Sequence, residues 1–165
     1  MSSPGSFEIR PAAREDAARI LDLIRQLADY EKLAHEVVAD TAALESTLFG
    51  EQPQAHCLLA WQGDAAVGMA LYFFNYSTFL ARAGLYLEDL FVVPAARGAG
   101  VGKGLLRRLA QIAVQRGCGR FEWSVLDWNK PAIEFYEALG ARRQDGWSVY
   151  RLTGTALNEL AGDVA

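Results

Sequence analysis

The chain has 165 residues, 52% hydrophobic and 22% charged, which suits a globular fold with a real core and excludes a disordered or low-complexity chain. Its formal net charge of −4 argues against a general nucleic-acid binder, which carries a basic face, and leaves room for a cationic small-molecule partner. Two cysteines, Cys57 and Cys118, are too few and too far apart for a disulfide framework or a zinc site, and no apolar run approaches the length of a membrane span.

The opening "MSSPGSFEIR" carries no apolar signal segment, so a cytoplasmic location is expected, with residues 1–6 as a flexible tail and 7–165 as one α/β domain. "FEIRP" (7–11) reads as a short strand stopped by Pro11. From Ala13 to Tyr30, Ala17, Ile20, Leu21, Ile24, Leu27 and Ala28 recur at three and four and predict an amphipathic helix. "DTAALESTLFG" (40–50) predicts a second, shorter helix with Asp40 or Thr41 as cap and Gly50 as stop. "AHCLLAW" (55–61) and "AAVGMALYFFNY" (65–76), separated by "QGD", predict an antiparallel hairpin.

"GLYLEDLFVVP" (84–94) is nearly continuous apolar, as in a strand covered on both faces. A glycine-rich stretch then opens a helix that runs to about Arg116 on a stripe of Val101, Leu105, Leu109 and Ile112. "GRFEWSVLDW" (119–128) predicts a strand and "NKPAIEFYEALG" (129–140) a helix, with Asn129 as cap, Pro131 in the first turn and Gly140 at the end. "GWSVYRL" (146–152) is the last predicted strand. No repeat or linker interrupts the chain.

Strand, glycine loop and helix together turn unpaired backbone N–H groups toward an anion. In "ARGAGVGKGLL" the glycines fall at 98, 100, 102 and 104. A nucleotide P-loop fails, because Gly98 to Gly102 is one residue short and Gly104 replaces the metal-binding hydroxyl. A dinucleotide fingerprint fails too: counted from Gly98 it meets Lys103 where glycine is required, and counted from Gly100 it meets Leu105. R-x-x-G-x-G fits the stretch, with tight helix packing and no ligand as the bland alternative.

Glu88 and Asp89 sit inside the apolar run "LYLEDLFVV", where carboxylates are costly unless paired or solvated. Adjacent residues of a regular strand face opposite ways, so at most one enters a shared cleft unless a bulge intervenes. Each could instead pair with an arginine or cap a neighbour. Tyr136 could be an ordinary amphipathic core residue with its hydroxyl at the rim. His35 and His56 form no metal pair, His56 reads as a structural histidine and Cys118 as a turn cysteine, so no metal is expected.

The loop "RGAGVG", with "YLEDLFVVPAARGAGVGKGLL" and "VLDWNKPAIEFYEALGA", resembles the GCN5-related N-acetyltransferase (GNAT) superfamily, in particular its spermidine/spermine (diamine) and thialysine branch. "LADYEKL", "HCLLA" and "FNYSTF" resemble the thialysine side, and the likeness covers residues 7 to 152. It implies a mixed α/β sheet whose central strands splay near 88–92 and 122–126, with acetyl-CoA slotted between them. It also implies a homodimer that shares the acceptor pocket, a small-molecule amine as acceptor, and no nucleic acid or membrane as partner. Aminoglycoside or peptide amines, or a non-catalytic acyl-CoA-binding module, are the alternatives.

By that resemblance Tyr136, seven residues after Asn129, is the proton donor to the thiolate, and Glu88 activates the amine through water. Leu90, Phe91 and Val92 lend main-chain hydrogen bonds to the acetyl group and pantetheine arm. Arg97, Gly98, Ala99, Gly100, Val101, Gly102 and Lys103 cradle the pyrophosphate, and Asn129, Lys130, Pro131 and Ala132 lie near the arm. Tyr30, Glu31, Glu88, Asp89, Glu122, Trp123, Ser124 and Asp145 match acceptor-contacting positions, with solvated surface charge as the bland alternative for Glu31, Glu122 and Asp145. Two departures stand out: "KLAHEV" replaces an acidic run, and "GARRQDGW" is short and carries Arg142 and Arg143. Both weaken a pocket for a long polycation and fit a shorter acceptor, such as a lysine-like amino acid.

Overall fold

Alternating apolar residues build one five-stranded sheet in the order β1-β2-β3-β4-β5. In the computed structural model, which describes residues 5–164, the strands are β1 (Glu8–Pro11), β2 (His56–Gln62), β3 (Ala65–Ser77), β4 (Arg82–Val92) and β5 (Phe121–Trp123). Four form an antiparallel meander, and β5 returns parallel to β4. Of the expected tail, residues 1–4 lie outside the described residues, and Gly5 and Ser6 are exposed. Described residues up to Leu126 form one compact unit and those from Asp127 onward a second.

Helices cover both faces of the sheet. On one, α1 (Ala17–Tyr30) and α2 (Thr41–Phe49) bury Ile20, Leu21, Leu23, Leu44 and Leu48 against Cys57, Leu59, Trp61, Met69 and Phe91. Each such fully buried aliphatic side chain contributes about 1.5–3 kcal/mol relative to exposure. The first helix starts later than its periodicity suggests, because Arg14–Asp16 form a 3-10 turn whose Asp16 Oδ2 accepts the Ala13 amide at 2.9 Å. Asp40 caps α2, accepting the Ala43 amide at 2.7 Å.

On the other face lies α3 (Val101–Gln115), the crossover from β4 to β5. Gly68 of β3 lets it approach: a Cβ there would sit 3.1 Å from the Phe91 carbonyl oxygen, 3.2 Å from Val101 Cγ1 and 3.4 Å from Leu105 Cδ1. Val101, Leu105 and Leu109 are wholly buried as a result. His56 stacks with Tyr72 and Phe74, and Cys118 closes the turn after α3 with its amide on the Ala113 carbonyl.

The second unit contains α4 (Lys130–Ala138) and α5 (Gly154–Ala161). Two expectations need correction here. The strand predicted over 119–128 is a strand only at Phe121–Trp123; Gly119 and Arg120 before it still exchange backbone hydrogen bonds with Ala83 and Leu85 of β4, and the ladder ends at Trp123. Among the described residues the strand predicted over 146–152 joins no sheet, and the helix α5 that follows it was not anticipated.

Gly68→Val should force α3 off the sheet. Overpacking of this kind costs about 1–3 kcal/mol, which at this chain length lowers Tm by about 2–4 °C per kcal/mol, measurable by calorimetry.

Candidate functional site

The sheet parts between its last two strands. The parallel ladder runs Leu85↔Phe121, Tyr86↔Glu122, Leu87↔Trp123 and stops, while β4 continues to Val92 with β3 alone beside it. Residues 88–92 therefore leave one edge of their backbone without a strand neighbour, in the region where splaying was expected. The Tyr86 hydroxyl and Ser124 Oγ, 2.8 Å apart, span the gap just past the last pair.

A bulge marks the same point. Leu71 opposes Asp89 and Tyr72 opposes Leu87, so Glu88 is the extra residue on β4. The bulge reverses the side-chain alternation: Leu87 points with Tyr72 to the α3 face, whereas Asp89 and Phe91 point to the α1 face. Glu88 itself is exposed. The sequence run "LEDL" thus places its two carboxylates by a device that a regular strand lacks.

The α1 face explains the charge environment. Burial raises the Asp89 carboxyl to about 6, and the neighbouring charges of Glu88 and Glu31 push the same way. Burial also raises Glu31, the residue just past the end of α1. Three carboxylates from the helix end and the bulge thereby share one neighbourhood. Of the two adjacent carboxylates on β4, Asp89 is the one with a raised pKa.

At the far end of the open edge the chain turns through Pro94–Ala96 into the glycine loop. Gly98 and Gly100 have φ of +84° and +81°, a left-handed conformation that L side chains rarely adopt. Gly100 precedes α3 with no side-chain cap, so the amides of Val101, Gly102 and Lys103 have no partner within the helix. Lys103 is exposed, and Gly102 has only Val92 Cγ2 near its missing Cβ, at 3.7 Å. Gly104 has a separate cause: its Cβ would meet Phe7 Cε2 at 2.8 Å and Ile9 Cδ1 at 3.2 Å.

Arg97 does more than flank this loop. Its Nε donates to the Val92 carbonyl at 3.0 Å, and its guanidinium lies 5.3 Å from the Tyr30 ring and 5.8 Å from that of Phe91. It ties the glycine loop to the end of α1, a link that nothing in the sequence spacing announces. Arg120, also unremarked in the sequence, ion-pairs with Glu122 at 2.8 Å.

Within the second unit, Asn129 caps α4, its Oδ1 accepting the Ala132 amide at 3.4 Å, and Pro131 sits in the first turn. Tyr136 lies two turns along, half-buried, its ring 5.6 Å from that of Phe135. Asp145 is exposed and ion-paired to Arg143 at 3.0 Å, and Arg143 also reaches Asp127 at 3.8 Å. Among the described residues no group of three or more His, Cys, Asp or Glu is placed to hold a metal.

An open strand edge, a bare-amide helix mouth and a parted sheet define an acyltransferase architecture, and the model of the acetyltransferase (GNAT) family matches residues 20–141. The chain belongs to that family and is an acetyl-transferring enzyme. Among its relatives, the thialysine N-epsilon-acetyltransferase of Sus scrofa is 44% identical over 168 residues, spanning 95% of this chain and 98% of that one. The L-ornithine N5-acetyltransferase of Arabidopsis thaliana is 35% identical, over 92% of this chain and 86% of its own length. An integron cassette protein from the mobile metagenome of V. cholerae superposes with a TM-score of 0.81 at 28% identity, covering 96% of this chain and 99% of that one.

Asp89 provides a test of the buried carboxylates. Its folded value of about 6 lies above the ordinary 3.8, so the stability tied to its protonated form is complete below the ordinary value and lost as pH rises through 6. Asp89→Asn should leave Tm unchanged near pH ~3.5 and raise stability by about 1–3 kcal/mol near pH ~8, read from thermal melts at both.

Proposed function

We propose that this chain transfers acetyl from acetyl-CoA to a primary amine of a small cationic acceptor. The acceptor is a thialysine- or lysine-like amino acid or a diamine, whose neutral amine attacks the thioester carbonyl directly in a ternary complex, and the acetyltransferase domain works as a cytoplasmic homodimer. The observation that carries this reading is the open edge of β4 at 88–92, with the carboxylates of the Glu88 bulge at one end and the glycine loop at the other. Acetyl-CoA supplies the acetyl group as a thioester.

The residues fit that coenzyme. Leu90, Phe91 and Val92 would offer main-chain hydrogen bonds to its arm, and the amides at the mouth of α3, with Gly98 and Gly100 bare beside them, would hold its pyrophosphate. Asn129 to Ala132 would flank the arm from the start of α4. On the acceptor side, Tyr30, Glu31, Glu88, Asp89, Glu122, Trp123, Ser124 and Asp145 would supply contacts.

An alkylamine with a pKa near 10.4 is neutral in roughly one molecule in two thousand at pH 7, so a base is required. Glu88, exposed on its bulge, takes the amine proton through water; Asp89 and Glu31 attract the cation. Tyr136 holds a phenolic proton for the departing sulfur. Cys57 is unsuited to carry an acyl group: burial pushes its thiol up to about 12, far from a thiolate at neutral pH.

The acceptor reading leans toward the shorter amine. Arg143 pairs with Asp145 and Asp127, and Arg120 pairs with Glu122, so three acidic groups that could attract a long polycation already carry a guanidinium. The Sus scrofa and Arabidopsis relatives, by name, act on amino acids bearing a side-chain amine.

A thiol-release assay over thialysine, lysine, ornithine, polyamines, aminoglycosides and peptide amino termini tests the acceptor. The amino acids should give the highest kcat/KM, and preference for spermine would overturn the short-acceptor reading. Tyr136→Phe and Glu88→Gln should each lower kcat by about 10²–10⁴-fold, with coenzyme A affinity by calorimetry unchanged. Full turnover in Tyr136→Phe would remove its assigned role.

A further inference from the structure

The end of β5 is held differently from its start. Before the strand, the Gly119 amide donates to the Ala83 carbonyl at 2.9 Å and the Leu85 amide to the Arg120 carbonyl at 3.0 Å. Arg120 adds an ion pair to Glu122 at 2.8 Å and a hydrogen bond to the Tyr76 carbonyl at 3.3 Å. The ladder with β4 stops at Leu87↔Trp123, so the next residue, Ser124, has no ladder pair. A side chain reaches back across the parting instead: the exposed Ser124 Oγ lies 2.8 Å from the Tyr86 hydroxyl of β4.

Tyr86 has the support to hold that hydroxyl. Its ring packs on that of Phe73, its ladder partner, with centroids 5.2 Å apart. Tyr86 points opposite to Leu87, to the side of the sheet away from α3. Because the Glu88 bulge reverses the alternation, Asp89 points to that side as well. The phenol and the perturbed carboxylate therefore share one side, and Ser124 is tied to it by the phenol. An attacking amine keeps its lone pair for the carbonyl, so its N–H groups need acceptors. A hydroxyl has one donor and two lone pairs, so Ser124 bonded to Tyr86 still has a lone pair for such an N–H. Held at a fixed place, that acceptor orients the amine; adrift on an unladdered strand end, it does not.

We propose that Tyr86 is a positioning residue for the acceptor: its hydroxyl holds Ser124, and with it the end of β5, at a fixed distance from β4, so that Ser124 meets the amine in one place. The inference rests on the proposed placement of Ser124 among the acceptor contacts and adds to them a residue that acts through Ser124.

A double-mutant cycle on the full-length chain tests this, with thiol release measured on whichever amine the unaltered chain turns over with the highest kcat/KM. Tyr86→Phe removes the hydroxyl and keeps the ring on Phe73; Ser124→Ala removes its partner. Each should lower kcat/KM for the amine by about 3–10-fold, the loss of one neutral hydrogen bond. The double variant should be no worse than either single one, and coenzyme A affinity by calorimetry should be unchanged in Tyr86→Phe. Additive losses overturn the proposal, because Tyr86 then acts independently of Ser124. Unaltered kinetics in Tyr86→Phe overturn it too, as does an equal loss of coenzyme affinity, which a general loosening of the sheet would cause. If Tyr86→Phe fails to fold, the exposed Ser124→Ala still decides: an unchanged kcat/KM overturns the proposal, and a loss confined to the amine supports it. A preferred amine other than a short amino acid overturns the acceptor reading and leaves this test intact, whereas an unaltered chain inert toward every amine overturns both.

Discussion

Everything at the candidate site follows from the parting of β4 from β5 after Leu87 and Trp123. A parallel strand pair that continued would consume the backbone hydrogen-bonding groups of 88–92, and no elongated ligand could lie along them. Because β5 stops after three residues, β4 keeps a free edge for the length of "EDLFV". The edge stays ordered because its other side is fully laddered to β3, so the protein holds open backbone on a rigid support. The extra residue at Glu88 adds local twist at the point where the strands begin to diverge.

The electrostatics of the bulge pull in two directions. A cationic acceptor of the kind proposed would be drawn by the carboxylates of Glu31, Glu88 and Asp89, yet the same charges would favour its ammonium form, which cannot attack a carbonyl. The fold separates these duties by exposure. Asp89 is buried enough to hold its proton up to about 6, whereas Glu88, one residue earlier, faces solvent where water can relay a proton. The raised value of Asp89 is also a cost to the fold, since above it a carboxylate is kept ionised in a poorly solvated place.

Much of this was legible in the sequence. The periodicities of 17–28 and 101–113, the caps Asp40 and Asn129, and the hairpin at "QGD" depend on near neighbours, and the chain writes them locally. The sequence offered "ED" inside an apolar strand but not its resolution, because a bulge is set by the register of β3. Ion pairs such as Arg120 with Glu122, and the stacking of Arg97 on Tyr30, were invisible for different reasons: the first is ordinary surface spacing, the second joins residues 67 positions apart. The strand expected at 146–152 failed within one chain because strand pattern specifies a face to be covered and cannot say which sheet supplies the cover.

The glycines at 98, 100, 102 and 104 look like one motif, and the structure divides them into separate causes. Gly98 and Gly100 serve backbone conformation, since both lie at positive φ. Gly104 serves packing, because the rings and methyls of Phe7 and Ile9 occupy the place of its Cβ. Gly102 serves neither: a Cβ there would make only an ordinary contact with Val92, and alanine would favour the helix by about 1 kcal/mol. Nucleotide-loop patterns fail on this stretch for the same reason. They count glycines by spacing, whereas two of the four answer to turns of the chain and one to the packing of Phe7 and Ile9.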